Sequence, residues 1–219
     1  MIFAPFGLRP VGYASASVWN GRVSTYALLN TNGAGVVTYA TSLYAGDPVT
    51  IANGGSLIHG HPIVQQAADT GVWLGAFKGV NYVDTNGQAV YSNKWVASTP
   101  VKPGTEILVE VIDDRDVIFE IQAANDGPAV GGVTAAQIMD NANFGQVAQW
   151  TPNLATGISG AFLRTGTIAN TSTFPMKIVG LGAIGGSIGT SDNALGVNYN
   201  IVLVKPNQHV FVTGTQTGA

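Results

Sequence analysis

Hydrophobic and polar positions alternate with a period of two along most of this chain, and Gly, Pro, Asn and Asp interrupt the alternation every few residues. That pattern predicts many short strands and almost no helix. The clearest stretch runs from Thr105 to Gln122. Two β-favouring runs, Glu106 to Ile112 and Val117 to Gln122, flank the charged Asp113-Asp114-Arg115-Asp116, which predicts a hairpin around an acidic turn. In the first run Ile107, Val109 and Val111 point one way and Glu106, Leu108, Glu110 and Ile112 the other; in the second, Val117, Phe119 and Ile121 oppose Ile118, Glu120 and Gln122. One face is wholly apolar and the other mixed, as in an antiparallel pair with one side on a core. A second hairpin is predicted from Val72 to Val96, because Asn86-Gly87 between β-rich runs is a strong turn signal.

Residues 1–20 carry Pro5, Gly7, Pro10 and Gly12 among Phe3, Phe6, Tyr13 and Trp19. Proline fixes its own φ and extends its predecessor, so this stretch is expected to be an extended N-terminal arm in front of a β domain spanning 21–219. Within that domain, runs at Arg22 to Leu29 and Val36 to Tyr44 are broken by Asn30-Thr31-Asn32-Gly33, Gly46-Asp47-Pro48-Val49 reads as a turn into a strand, and Asn53-Gly54-Gly55 as another turn. One short helix is predicted within Thr134 to Asn141, capped by Thr134. The Gly-rich residues just before it suggest a sub-boundary near 125–132. Strands are expected again at Gln146 to Trp150, Ile158 to Arg164, Thr173 to Leu181 and Asn200 to Val212, with a frayed tail after Thr213. No internal repeat of fixed period is present. The fold class expected is mainly β, an antiparallel β-sandwich or barrel with one short helix and an extended arm.

Composition changes the picture in one respect. Charged residues are 10% of the chain, against roughly 25% in average soluble proteins, while hydrophobic residues are 46%. So little charge leaves apolar surface over, and such surface is expected to be covered in an assembly. A net charge of −3 without any block of like charge argues against nucleic acid and anionic membrane as partners. The absence of cysteine excludes disulfides and thiolate metal sites. Met1 to Gly7 lacks the basic start of a secretory signal, and the apolar tract Ile178 to Ile188 falls short of the roughly 20 residues of a membrane span, so a soluble protein made in the cytoplasm is expected.

Several motifs invite chemistry and fail on context. Gly180, Gly182 and Gly185 fit GxGxxG, but the residues that follow do not favour a helix and no acid stands about 20 positions on. Gly185, Ser187 and Gly189 fit GxSxG, with Asp192 and His209 following, yet an acid five residues after the serine is badly placed for a triad. His59 and His61 have metal-like spacing without a compelling third ligand. Asp113, Asp114 and Asp116 lack a calcium loop and read as a solvated tip. Glu106, Glu110 and Glu120 fall by alternation on one mixed face, without an aromatic sugar platform in the segment. Trp19, Trp73, Trp95 and Trp150 are expected to serve packing or subunit contact. The expectation is a non-enzymatic protein with no cofactor and no metal.

Phe6-Gly7-Leu8-Arg9-Pro10-Val11-Gly12-Tyr13, Trp19-Asn20-Gly21, Gly46-Asp47-Pro48-Val49, Ile112-Asp113-Asp114 leading to Phe119-Glu120-Ile121-Gln122, and Val202-Leu203-Val204-Lys205-Pro206-Asn207-Gln208-His209 together resemble small virion structural proteins of tailed bacteriophages, of the capsid decoration or cement type. Where such sequences carry Asp-Asp-Pro-Asp, this one has Asp113-Asp114-Arg115-Asp116. The resemblance implies a mainly β homo-oligomer, a trimer, on the exterior of the head, partnered by the major capsid protein and with no catalytic residue. The arm, through Phe3, Phe6, Arg9 and Tyr13 with Trp19 beyond it, is then expected to cross to a neighbouring subunit or the capsid, Arg9 supplying a directional hydrogen-bonding fork, with packing of the arm on its own sheet as the alternative. On that expectation residues 1–13 are dispensable for folding. The competing expectation is a surface carbohydrate-binding module using Trp19 and Trp150.

Overall fold

The alternating runs become fifteen short strands among the residues that the computed structural model describes, 2–29, 39–52, 57–126, 128–182 and 193–211. In chain order they are β1 (Arg9–Tyr13), β2 (Ser24–Leu28), β3 (Leu43–Tyr44), β4 (Pro48–Ile51), β5 (Leu57–Ile58), β6 (His61–Gln66), β7 (Gly75–Val83), β8 (Ala89–Ser92), β9 (Lys94–Trp95), β10 (Leu108–Ile112), β11 (Val117–Ala124), β12 (Asn141–Ala142), β13 (Leu163–Arg164), β14 (Met176–Leu181) and β15 (Ile201–Pro206). The protein is mainly β and mainly antiparallel, as the period of two predicts.

The first sheet closes on itself. β10 pairs with β2, β2 with β6, β6 with β4, β4 with β7, and β7 returns to β10, which makes a small barrel. Only β2 and β6 in this ring run parallel, with Ala27 opposite Ile63. Tyr26, Leu28, Val49, Val64, Phe77, Val80, Val109 and Val111 form its core. The predicted β7–β8 hairpin is present, turning through Gly87 at φ +84°.

The second sheet has the order β1, β11, β15, β14, β12, with β13 parallel on β11. Val117, Phe119 and Ile121 of β11, Met176 and Ile178 of β14, and Val202 and Val204 of β15 share a second core with Phe144 and Phe162. Barrel strands contribute to it as well. Ala76 and Ile112, opposite each other in the β7–β10 ladder, are buried in this second core, as is Trp73, whose ring meets Phe144 edge-on at 5.3 Å.

The hairpin expected around Asp113–Asp116 does not form. β10 pairs with β2 and β7, whereas β11 pairs with β1, β13 and β15, so the acidic turn carries the chain from one sheet to the other. Asp113 anchors the crossing to the barrel by accepting hydrogen bonds from Ser24 Oγ at 3.0 Å and Tyr26 Oη at 2.7 Å. The change of sheet therefore falls at 113–116, ahead of the stretch 125–132. The expected helix is a single 3-10 turn, Ala135–Gln137, where Gln137 Oε1 accepts from Thr134 N–H at 2.9 Å. The strand expected at 146–150 is also a 3-10 turn, its amides satisfied locally by Gln146 and Val147 carbonyls. The turns at 30–33 and 53–55 and the tail after Thr213 lie outside the described residues.

Residues 1–20 are not an arm held away from the domain. β1 is the edge strand of the second sheet, with Arg9 opposite Glu120 and Tyr13 opposite Val117, and Leu8 is buried in its core. Pro10 has no amide to offer and Gly12 is bridged to Val18, so the outer edge of β1 is blunted against further pairing.

Barrel closure makes a test. A Cβ on Gly75 would collide with the Ile112 carbonyl oxygen, a main-chain atom that cannot swing away. Gly75→Ala is expected to cost about 1–3 kcal/mol in urea unfolding. Gly180→Ala, whose Cβ meets Leu203 at an ordinary 3.7 Å, is expected to stay within about 0.5 kcal/mol of wild type.

Candidate functional site

Two short motifs far apart in the chain are partners in space. Leu8 N–H donates to Gly46 O at 2.9 Å and Gly7 N–H to Ala161 O at 3.2 Å, while Ser159 N–H reaches Ala45 O at 3.0 Å. Gly7 and Gly46 both sit at positive φ, +70° and +95°. A Cβ on Gly7 would also collide with Ser159, so Phe6-Gly7-Leu8 docks onto Ala45-Gly46-Asp47 only with glycine at both centres.

Where this leader crosses the barrel wall, the surface is concave. A groove of about 370 Å³ is lined by buried Leu8, Phe77 and Ile112, by partly exposed Phe6 and Trp19, and by the exposed side chains of Arg9, Lys78 and Ile158. Arg9 lies over the Phe6 ring, 5.0 Å from its centroid, and pairs with Glu120 on β11, which holds both groups in place. Lys78 makes no ion pair among the described residues. The groove is thus an apolar surface with a cationic margin.

Three of the five expected interface residues, Phe6, Arg9 and Trp19, meet in this groove. Phe3 lies elsewhere, against Phe162 and Tyr199 with ring centroids 5.6 and 5.8 Å apart. Tyr13 donates its hydroxyl to Asn20 Oδ1 at 2.9 Å. The Arg9 fork engages Glu120 of its own chain because the β1–β11 register sets them opposite each other. Residues 1–13 are likewise part of the fold, since removing them strips a strand and Leu8 from the second core.

The other motifs separate. His59 pairs with Glu106, and no group of three metal-ligating side chains exists among the described residues. Glu110 accepts from Tyr91 Oη at 3.3 Å on the barrel while Glu120 sits in the second sheet, so the three glutamates do not share a face. Gly180 and Gly182 close β14; Gly185, Ser187 and Asp192 lie outside the described residues, and His209 is buried, its imidazole pKa lowered chiefly by that burial. Trp150 is buried and donates its indole N–H to Gly145 O at 2.8 Å, which makes it core rather than platform. No helix of the described residues is long and apolar enough to cross a membrane. In comparisons with family models, curated proteins and solved structures, nothing matches this chain.

One group escaped sequence reasoning. Asp47, read as a turn residue, is only 2% exposed and accepts from Tyr44 N–H at 2.8 Å and from Ser159 Oγ, tying the barrel to the segment after Gly157. Burial pushes its carboxyl up from 3.8 to about 6, against the opposing effect of those two hydrogen bonds. A carboxyl with a raised folded pKa binds its proton more tightly in the folded state. Its contribution to stability is full below pH about 4 and is lost as pH rises through about 6, a change on the order of 3 kcal/mol. Asp47→Asn is therefore expected to lower the unfolding free energy at pH 4 relative to that at pH 8, compared with wild type, as read from urea titrations of both proteins at both values.

Proposed function

We propose that this protein is a structural component of a tailed bacteriophage virion. It decorates the outside of the assembled head at junctions between capsid subunits, as a homotrimer, and stabilises the shell without catalysing any reaction. The observation that carries this reading is the groove itself: Phe6, Arg9 and Trp19, singled out as contact residues from the sequence, converge on one solvent-open apolar surface. Aromatic side chains and arginine are the residues from which strong contacts between proteins are built. A chain with 10% charged residues adds a reason for its surface to be covered.

The mechanism asked of the protein is thermodynamic. A molecule that binds the assembled lattice and not its free subunits stabilises the lattice in proportion to its occupancy. A trimer bridging several subunits multiplies modest contacts by effective concentration. Rigidity of the leader helps, because a groove already held open by the Leu8–Gly46 hydrogen bond loses little conformational freedom on binding. The carbohydrate-binding alternative draws less support, since Trp150 is in the core and the groove offers two cations but few other polar groups to a sugar.

Co-sedimentation with empty, expanded heads that lack the protein tests the reading. Wild-type protein is expected to pellet saturably, and Phe6→Ala with Trp19→Ala is expected to weaken binding at least tenfold, or about 1.4 kcal/mol, while the far-ultraviolet circular dichroism stays unchanged. Wild-type protein that stays in the supernatant with every head preparation would overturn it.

A further inference from the structure

Two lysines stand opposite each other in the second sheet. β14 and β15 run antiparallel with Lys177 opposite Lys205. Their neighbours Met176, Ile178, Val204 and Pro206 are buried, so alternation turns both lysines to the outer face, where each is partly exposed. Directly opposed side chains in an antiparallel pair have Cβ atoms roughly 4.5–5.5 Å apart, and like charges there destabilise the sheet.

Glu120, the acid on this face of β11 and opposite Leu203, is engaged by Arg9. Among the described residues neither lysine takes part in an ion pair, although Arg9, Arg22, Arg115 and Arg164 all do. With nine Lys and Arg in the whole sequence, setting two of them against each other is a costly use of scarce charge. The same face carries Ile118, Ile201 and Leu203, all partly exposed. A paired cation row beside apolar side chains is half of an interface.

We propose that this face binds an acidic, extended segment of a partner protein, its carboxylates falling between Lys177 and Lys205 and its apolar side chains covering Ile118 and Leu203. Charge complementarity selects the occupant: a carboxylate between the two ammonium groups adds two attractions that outweigh their one repulsion. Two cations neutralise too few phosphates for nucleic acid, and the chain's net charge of −3 opposes a polyanion. The surface lies on β11, β14 and β15, none of which lines the groove, and it stands whether or not the protein resides on a phage head.

The test uses a fluorescent peptide of alternating glutamate and valine, titrated with the full-length protein and followed by anisotropy at low and high salt. Wild type is expected to bind at low salt and to lose the peptide as salt rises. Lys205→Glu and Lys177→Glu are each expected to weaken binding at least tenfold, and Lys102→Glu, an exposed lysine elsewhere, to leave it unchanged. In the free protein Lys205→Glu is also expected to raise the melting temperature by about 2–4 °C, because repulsion becomes attraction. A wild-type protein that ignores the peptide, a Lys205→Glu variant that binds it as well as wild type or melts lower, or tighter binding of a DNA oligonucleotide than of the peptide would each overturn the proposal.

Discussion

One wall serves two cores. Along β7 and β10, Phe77, Val80, Val109 and Val111 fill the barrel while Ala76 and Ile112 turn outward into the core of the second sheet. A strand buried on both faces has to be apolar on both, and where two layers of main chain approach closely its residues have to be small. Gly75 and Ala76 meet that demand at the start of β7. Just ahead of them Trp73 crosses into the second core, contacts Phe119 and Phe144, and donates its indole N–H to Pro175 O at 2.9 Å. A fully buried aromatic ring of this size is among the largest single contributors to a core.

The groove follows from that wall. The leader lies against it because Leu8 is buried beside Ile112 in the second core and its amide is held by Gly46. Phe77 and Lys78, consecutive residues of the shared strand, point in opposite directions, yet both border the space the leader leaves open. The contact surface proposed for lattice binding is thus a by-product of how the two sheets are joined. It is also rigid, with Asp47, Ser159 and the two left-handed glycines fixing the crossing.

How much of this was legible depended on whether a signal was local. Alternation in 106–112 and 117–122 identified Val109, Val111, Val117, Phe119 and Ile121 as core but not the burial of Ile112, Glu120 and Gln122 on the opposite faces, and Asn86-Gly87 placed the β7–β8 turn, because side-chain direction and turn type are set by adjacent residues. What alternation does not encode is the partner. Two runs flanking a turn look alike whether they pair with each other or leave for different sheets, and the Asp113 carboxylate that decides the matter binds Ser24 and Tyr26, nearly ninety positions earlier. The leader left its docking partner undecided for the same reason. Its prolines and aromatics do describe extended chain, but the buried Leu8 and the β1–β11 register that keep it at home are long-range facts. Asp47 and the opposed Lys177 and Lys205 were out of reach, since burial of an acid and strand register appear only once the sheets are assembled. Phe6, Arg9 and Trp19 were singled out because glycine, proline and aromatic residues crowd into a short segment, and the fold brings all three to one groove.

If the wall joins the cores as described, leader, barrel and second sheet form one cooperative unit. Native-state hydrogen exchange reads this directly at three hydrogen-bonded amides: Leu8 in the leader, Phe77 in the shared wall and Ala123 in the second sheet. All three are expected to exchange only through the same global opening, with equal free energies and equal dependence on denaturant. Exchange of the Leu8 and Ala123 amides through a separate, much cheaper opening, while Phe77 stays protected, would contradict this.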